Sequence, residues 1–468
     1  MSDKIIVPGL TEDETVTVNV LAGELRDRSR RNLLRSSYYD GKRAIRQVGS
    51  IIPPQYYRLG IALGWAAKGV DGLDRRVNLE EMVWSDGDID AIGWSELEES
   101  NFLLSELASG RTDAFIHGVS YLITTQGDEA AGEPRALVHA KDARNAFGQW
   151  NSRKRALDNL LSVTSWDGAK ISGFVLYLDG ETISAERIDG RWTVTDRSEH
   201  PWHVPADPQV YRPRSGRRMG RSRITRPLMS AQDAALRALV RLEGHMDIYA
   251  IPKLILLGAS DSVFKNPDGT MKASWQMILG RSFGIPDDDD AAVPRADVKQ
   301  FDAASPEPHL ADLNALAKLA ARETDLPDSD FALTDIANPT SADSYIQSRE
   351  NQISEAEGAQ RDLDIPTRRT VMRALAIQNG LSEIPSEWRS IKPKWRSPLY
   401  VSKAAQADAG AKQIAAGPEW LKETTVALEL LGLTPTQIEQ ALKERRQNAG
   451  RDVVRAALNR QATNADGA

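Results

Sequence analysis

Along the chain, apolar residues recur at helical spacing in some stretches and alternate with polar ones in others, and each change of period marks an element. Residues 20–35 predict a basic helix, with Leu21, Leu25 and Leu33 set among clustered arginines. Tyr38-Tyr39-Asp40-Gly41 predicts the turn after it, because Asp-Gly tolerates the positive φ that tight turns need. Ile51-Ile52-Pro53-Pro54 closes that unit. A helix is expected over about 95–118, opened by Ser95-Glu96-Leu97-Glu98, with Phe102, Leu103, Leu107 and Phe115 at helical spacing. From 120 to 203 the period changes. Val119–Thr124, Gly173–Leu178 and Arg191–Val194 are β-rich runs, and Asp179-Gly180 and Asp189-Gly190 are turns between them. This region predicts a mixed α+β part with a small antiparallel sheet.

Helical spacing returns after Ser230-Ala231-Gln232-Asp233, a capping-type start, with Ala235, Leu236, Leu239, Val240, Leu242 and Met246 on one wide stripe. A β-rich, turn-rich excursion covers about 251–305. Pro306-Glu307-Pro308 launches a second helix with Leu310, Leu313, Leu316 and Ala320 on one face. Asp335-Ile336-Ala337-Asn338-Pro339 reads as a loop, and Thr340-Ser341-Ala342-Asp343 as the cap of a helix over about 341–363. Only Ile346, Ile353, Ala356 and Leu363 give that helix an apolar seam. A helix this long and polar either lies on a solvated surface or lines a water-filled cavity. Residues 401–415 are rich in Ala, Gln and Lys, two helices are expected over 419–431 and 434–458, and the tail from 461 is polar. No internal repeat is present.

Composition narrows the picture. The chain has 468 residues, enough for two or three domains or one elongated body. It has no cysteine, which removes disulfides, thiolate metal sites and a Cys nucleophile. The N-terminus has no apolar signal-peptide core, and the longest apolar stretches, 59–67 and 254–259, are too short to span a bilayer. The expected setting is the cytosol or a particle assembled there. A net charge of -7 argues against a protein that grips nucleic acid over its whole surface.

Catalytic patterns are sparse. GxxxxGK[ST], HExxH and GxSxG do not occur, so a P-loop motor is excluded, and no cofactor is implied. His200 and His203 form the one close histidine pair, but Pro201 between them forbids a regular helix. Pro286-Asp287 followed by Asp297-Val298-Lys299 fits the loose PD…(D/E)xK spacing of metal-dependent nucleases, in which two carboxylates hold Mg²⁺. Because residues 287–290 are consecutive aspartates, an aspartate pattern arises cheaply there, and Pro294 interrupts the strand it needs. A solvated acidic loop is the better reading, and a nuclease using Asp287, Asp297 and Lys299 the alternative. Residues 212–226 hold seven arginines in fifteen positions. Arg217, Arg218, Arg221 and Arg223 are candidates either for phosphate contacts or for salt bridges to a neighbouring subunit.

The order of these segments, with certain motifs, resembles the portal proteins of long-tailed bacteriophages, especially those infecting actinobacteria. The resemblance runs from about 20 to about 380. It rests on Tyr38-Tyr39-Asp40-Gly41 with Ile52-Pro53-Pro54, on Asp113-Ala114-Phe115 leading to Gly118-Val119-Ser120-Tyr121, and on Lys141-Asp142-Ala143. It rests most on Gly220-Arg221-Ser222-Arg223-Ile224, Ile251-Pro252, Leu257-Gly258 and Asn338-Pro339-Thr340-Ser341-Ala342. The resemblance implies an α+β ring subunit with an α/β wing, a two-helix stem, a β-rich clip, a long channel-bordering helix and an α-helical crown. Carried onto this chain, the wing is 1–225, the stem helices 226–249 and 307–326, and the clip 250–306. The tunnel loop, channel helix and rest of the wing are 327–400, and the crown and tail 401–468.

The family further implies a non-enzymatic homo-oligomer, usually a dodecamer, at the capsid portal vertex of the virion, assembled in the host cytoplasm without a membrane. Double-stranded DNA slides through it non-specifically during packaging and ejection. Terminase large subunit, a head-completion or adaptor protein, and the major capsid and scaffolding proteins are its implied partners. In this picture Asp335, Asn338 and Thr340 belong to the tunnel loop. Arg349, Glu350, Gln352 and Glu357 face the DNA channel from the helix that follows.

Overall fold

The computed structural model describes residues 4–42, 61–249, 253–257, 266, 268–270, 282–285, 297–301, 304–331, 347–399, 403–434, 436–438, 440–446 and 448. Ile51–Pro54, Asp287, the segment expected as a loop with Asp335, Asn338 and Thr340, and residues 341–346, expected to open the polar helix, lie outside them. The chain divides into two compact units, Met1–Pro398 and Leu399–Ala468.

Helix α1 (Glu12–Tyr39) begins earlier than its apolar spacing predicts. Thr11 and Glu14 form a reciprocal capping box: Thr11 Oγ1 accepts from the Glu14 amide at 3.3 Å, and Glu14 Oε2 from the Thr11 amide at 2.8 Å. The alternating Val16, Val18 and Val20 hide this start behind a strand-like period, but Val18, Leu21, Ala22 and Leu25 are buried together. They pack with Phe147, Leu161, Phe174, Leu176 and Ile183. Each leucine buried this completely contributes about 1.5–3 kcal/mol. Helix α2 (Trp65–Asp74) and strand β1 (Leu79–Trp84) follow.

The helix expected over 95–118 is two helices, α3 (Trp94–Asn101) and α4 (Leu103–His117). Phe102 breaks them with φ of 48° and is 79% exposed, so it belongs to no apolar face. Then come β2 (Val119–Gln126), β3 (Ala136–Asp142), β4 (Ala146–Asn151), β5 (Ala156–Asp167), β6 (Lys170–Tyr177), β7 (Glu181–Ile188), β8 (Arg191–Glu199) and β9 (Ala206–Val210). They make two antiparallel sheets, ordered β3-β2-β9 and β4-β5-β6-β7-β8. The Asp189-Gly190 turn has both φ values positive, at 51° and 81°, which suits a two-residue hairpin.

Helix α5 (Arg226–Tyr249) starts ahead of the Ser230 cap that the sequence favours. Thr225 Oγ1 accepts from the Leu228 amide at 3.3 Å, and Gln232 is buried inside the helix, its Oε1 taking the Ala66 amide at 2.8 Å. Strands β10 (Lys253–Leu257), β11 (Ser282–Ile285) and β12 (Asp297–Phe301) form a mixed sheet ordered β11-β10-β12. Helix α6 (Glu307–Thr324) returns beside α5 through Leu313, Ala317, Ala320 and Ala321 against Leu228, Ala231, Ala235 and Ala238. Small residues on both faces let the two backbones approach.

Helix α7 (Glu350–Gln378) continues well past 363, through Pro366. An internal proline removes a donor and costs about 3 kcal/mol. That cost is offset because Val371, Met372, Ala374, Leu375, Ala376 and Ile377 are buried with Leu97, Leu103, Leu107, Leu122 and Ile391. Strand β13 (Ile391–Trp395) pairs antiparallel with β1. In the second unit, α8 (Lys403–Ala416) and α9 (Thr425–Leu430) are helical. The segment expected as a helix over 419–431 divides there into a 3-10 turn, Glu419–Glu423, and α9. Thr434 and Gln437 cap each other, at 3.0 and 3.4 Å.

Candidate channel wall and arginine surface

The first half of α7 has two unlike faces. Gln352, Ile353, Glu355, Ala356, Ala359 and Leu363 are buried, while Glu350, Ser354, Glu357, Arg361 and Ile365 are exposed at spacings of three or four residues. The outward stripe therefore carries Glu350 and Glu357 together, with Arg361 added to them. Arg349 and Gln352 are turned into the subunit instead. Arg349 makes a two-pronged ion pair with Asp330 at 3.1 and 3.2 Å and donates to Gln352 Oε1 at 3.0 Å. Gln352 Nε2 donates to the Gly72 carbonyl at 2.6 Å. In the single subunit these two side chains thus fasten α7 to α2 and to the turn after α6.

The arginine-rich loop separates in the same way. Arg223 is 5% exposed and belongs to the interior, not to a phosphate or subunit surface. It pairs with Glu355, donates to Tyr211 Oη at 3.1 Å, and its other nitrogens take the carbonyls of Gly69 and Thr324. Arg212 Nη2 adds a 3.0 Å contact to Glu355 Oε1. Burial opposes the Arg223 charge, but Tyr211 and Glu355 outweigh it and hold its pKa above the ordinary value. Glu355 was not among the sequence candidates, although it falls between Gln352, Ile353 and Ala356 on the inward seam. That position was the signal available.

Arg218 and Arg221 are exposed and Arg217 is half-buried. Their side chains have no acidic partner among the described residues. Burial lowers the pKa of Arg217, and Arg31, Arg214, Arg221 and Arg28 lower it further. This is a patch of like charges gathered from α1 and the loop. Its shape is set by two glycines. Gly220 has φ of 59°, and a Cβ there would sit 2.3 Å from the Tyr211 carbonyl and 2.5 Å from that of Gly118. Gly118, with φ of 104°, has its own Cβ position 3.0 Å from the Arg221 backbone. The Ser222 hydroxyl meets the Ile116 carbonyl, and the Arg223 amide donates to Phe115 O at 2.8 Å. The two sequence motifs at 118–121 and 220–224 are therefore one staple between the end of α4 and the arginine loop.

The other candidate chemistry is dispersed. His200 Nε2 lies 3.2 Å from Thr182 Oγ1, and His203 Nδ1 lies 2.7 Å from Asp179 Oδ1, so the pair serves separate contacts. Asp297 and Lys299 stand in β12 opposite Leu257 and Ile255 of β10. One group among the described residues has the makings of a metal site: Asp113, His117 and Asp142. Burial, then the Asp142 carboxylate, pushes Asp113 up to about 7. Burial pushes His117 down to about 4. Among the described residues no helix is long and apolar enough to cross a membrane.

The portal protein of Mycobacterium phage L5 is 24% identical over 415 residues, covering 87% of this chain and 84% of the relative. That of Mycobacterium phage D29 is 24% identical over 417 residues, covering 88% and 83%. Among solved structures, a chain from the neck of an empty GTA particle matches with a TM-score of 0.42 at 14% identity, covering 80% of this chain and 91% of that one. The family model for phage portal proteins of the SPP1 Gp6-like type matches residues 19–451, which takes in the arginine staple, the paired helices α5 and α6, and α7. With that match running over most of its length, the chain belongs to the SPP1 Gp6-like family of phage portal proteins.

Proposed function

We propose that the subunit assembles into a closed ring, usually of twelve copies, whose central channel passes double-stranded DNA into the capsid and out again. The family is a structural, non-enzymatic one, which supports a conduit and not the nuclease alternative. In this reading α5 and α6 are the stem pair, and the β10–β12 sheet belongs to the clip. Its two edge strands would be covered by neighbouring subunits, since an open edge invites pairing. The clip would dock terminase during packaging and the head-completion protein afterwards. The capsid vertex, with its capsid and scaffolding proteins, surrounds the ring.

The observation that carries the channel placement is the outward stripe of α7. Glu350, Ser354, Glu357 and Arg361 are exposed on a helix whose opposite face is firmly buried. A conduit must let DNA slide, and each neutralised phosphate adds about 0.9 to the slope of log K against log salt. Two acids and one base on the stripe give DNA little to grip. Reversing Glu350→Lys together with Glu357→Lys should leave ring assembly intact but slow packaging, more at low salt than at high. Unchanged packaging speed at every salt concentration would place this stripe on the outside of the ring.

For Arg217, Arg218 and Arg221 the favoured role is contact with an acidic surface of the next subunit. A ring is built from a heterologous interface, so one patch meets a different patch on its neighbour. Like charges held this close are most stable when an anionic surface covers them.

A further inference from the structure

We propose that Asp113, His117 and Asp142 bind one divalent cation of the zinc or manganese class, which ties the end of α4 to the end of β3. A ring nitrogen of His117 and one carboxylate oxygen from each aspartate lie within 4.8 Å of one another. Asp113 and His117 are four residues apart on α4, so both project from one helix face. Asp142 is the last residue of β3 and reaches the same point from the sheet. Coordination at about 2.0–2.2 Å from each ligand would draw these atoms closer together by side-chain rotation.

Two features ask for a cation and not for the neighbours already present. First, His117 is 6% exposed, its Nε2 has only a 3.5 Å approach to Ser36 Oγ, and its buried Nδ1 has no hydrogen-bond partner among the described residues. Such an orphaned buried nitrogen costs stability until something meets it. Second, neither aspartate has an ion-pair partner among the described residues. Arg35 is committed to the His117 carbonyl at 2.7 Å; Arg144 hydrogen-bonds Asp142 through its backbone amide, at 3.2 Å from Oδ1, and its exposed guanidinium acts on Asp113 and His117 only through space, without an ion pair. That amide, the Asn145 amide at 3.0 Å and Asn145 Nδ2 at 2.8 Å all bind Asp142 Oδ1. They orient the carboxylate and leave Oδ2 for a ligand. A proton shared by the acids would ease their repulsion but leave the imidazole nitrogen unanswered. One imidazole with two carboxylates suits zinc or manganese better than magnesium, which prefers an all-oxygen octahedron.

The test is calorimetric titration of EDTA-treated full-length protein, in its assembled form, with ZnCl₂ and separately with MnCl₂. Near-stoichiometric binding to each subunit is expected with at least one of them, together with a raised thermal midpoint. His117→Gln and, independently, Asp113→Asn should each weaken that binding by more than about tenfold while circular dichroism and oligomer mass stay unchanged. The Asp113 side chain makes no hydrogen bond among the described residues, which keeps the second variant informative if the first disturbs packing. With Mn²⁺ bound, pulsed electron resonance should show coupling to a single imidazole nitrogen. Absence of stoichiometric binding by both ions, binding that survives both substitutions, or Mn²⁺ without nitrogen coupling each overturns the site.

Discussion

Residues 217–223 hold four arginines, and the fold uses them in opposite ways. Arg223 is sealed inside, where Glu355, Tyr211 and two carbonyls meet its guanidinium. Arg217, Arg218 and Arg221, only a few residues away, gather at or near the surface beside arginines of α1. A charge can enter the interior only when its partners come with it. The inner arginine therefore joins α2, α6, α7 and the staple loop into one body. The outer ones contribute little to the isolated subunit and are left for partners.

The largest effect should follow from breaking the inner set. Arg223→Met leaves Glu355 without its closest countercharge and should destabilise the subunit by about 3–5 kcal/mol. Urea denaturation checks this, and adding Glu355→Met should recover much of the loss. A single-variant cost within experimental error of wild type would mean that Arg223 is not the anchor its contacts indicate.

His139 sharpens the contrast, because it is a half-buried basic group with no acid paired to it among the described residues. Burial, then Lys141, pushes its pKa down to about 4. The unfolded chain takes up the proton near pH 6.5, so stability should fall as pH drops from about 6.5 to about 4 and change no further from this source below that. His139→Gln should flatten part of that slope in a pH series of thermal melts. An identical slope in the variant would assign the pH dependence elsewhere.

The smallest effect on stability belongs to the outer set. Replacing Arg217, Arg218 and Arg221 together by Gln should shift subunit stability by less than about 0.5 kcal/mol each. Ring formation, followed by mass photometry, should nevertheless weaken. If assembly is normal and salt-dependent DNA retention falls instead, the arginines are phosphate contacts.

Much of this molecule was legible in its residues. The paired helices α5 and α6, the hairpin strands and the seam Ile353, Ala356, Leu363 follow from periodicity, because a face that must be buried imposes its spacing on the sequence. Motifs such as Gly220-Arg221-Ser222-Arg223-Ile224 carry the resemblance to portal proteins in the residues alone. Local signals failed where distant packing overrode them. Alternating valines mask the Thr11 capping box, Phe102 falls at core spacing but is exposed, and α7 runs well past the 363 at which its apolar seam ends. In each case the outcome depended on what lay opposite, which a period cannot report.

The sequence by itself determined the order of elements, the polar character of α7 and the concentration of arginines. Only the tertiary structure decided which charges are which. It turned Arg223 and Gln352 inward, left Glu350 and Glu357 outward, and brought Asp142 from a strand to face Asp113 and His117 on a helix. The reason is physical: the cost of burying a charge depends on partners supplied by segments far away in the chain, so its fate is set only when those segments meet.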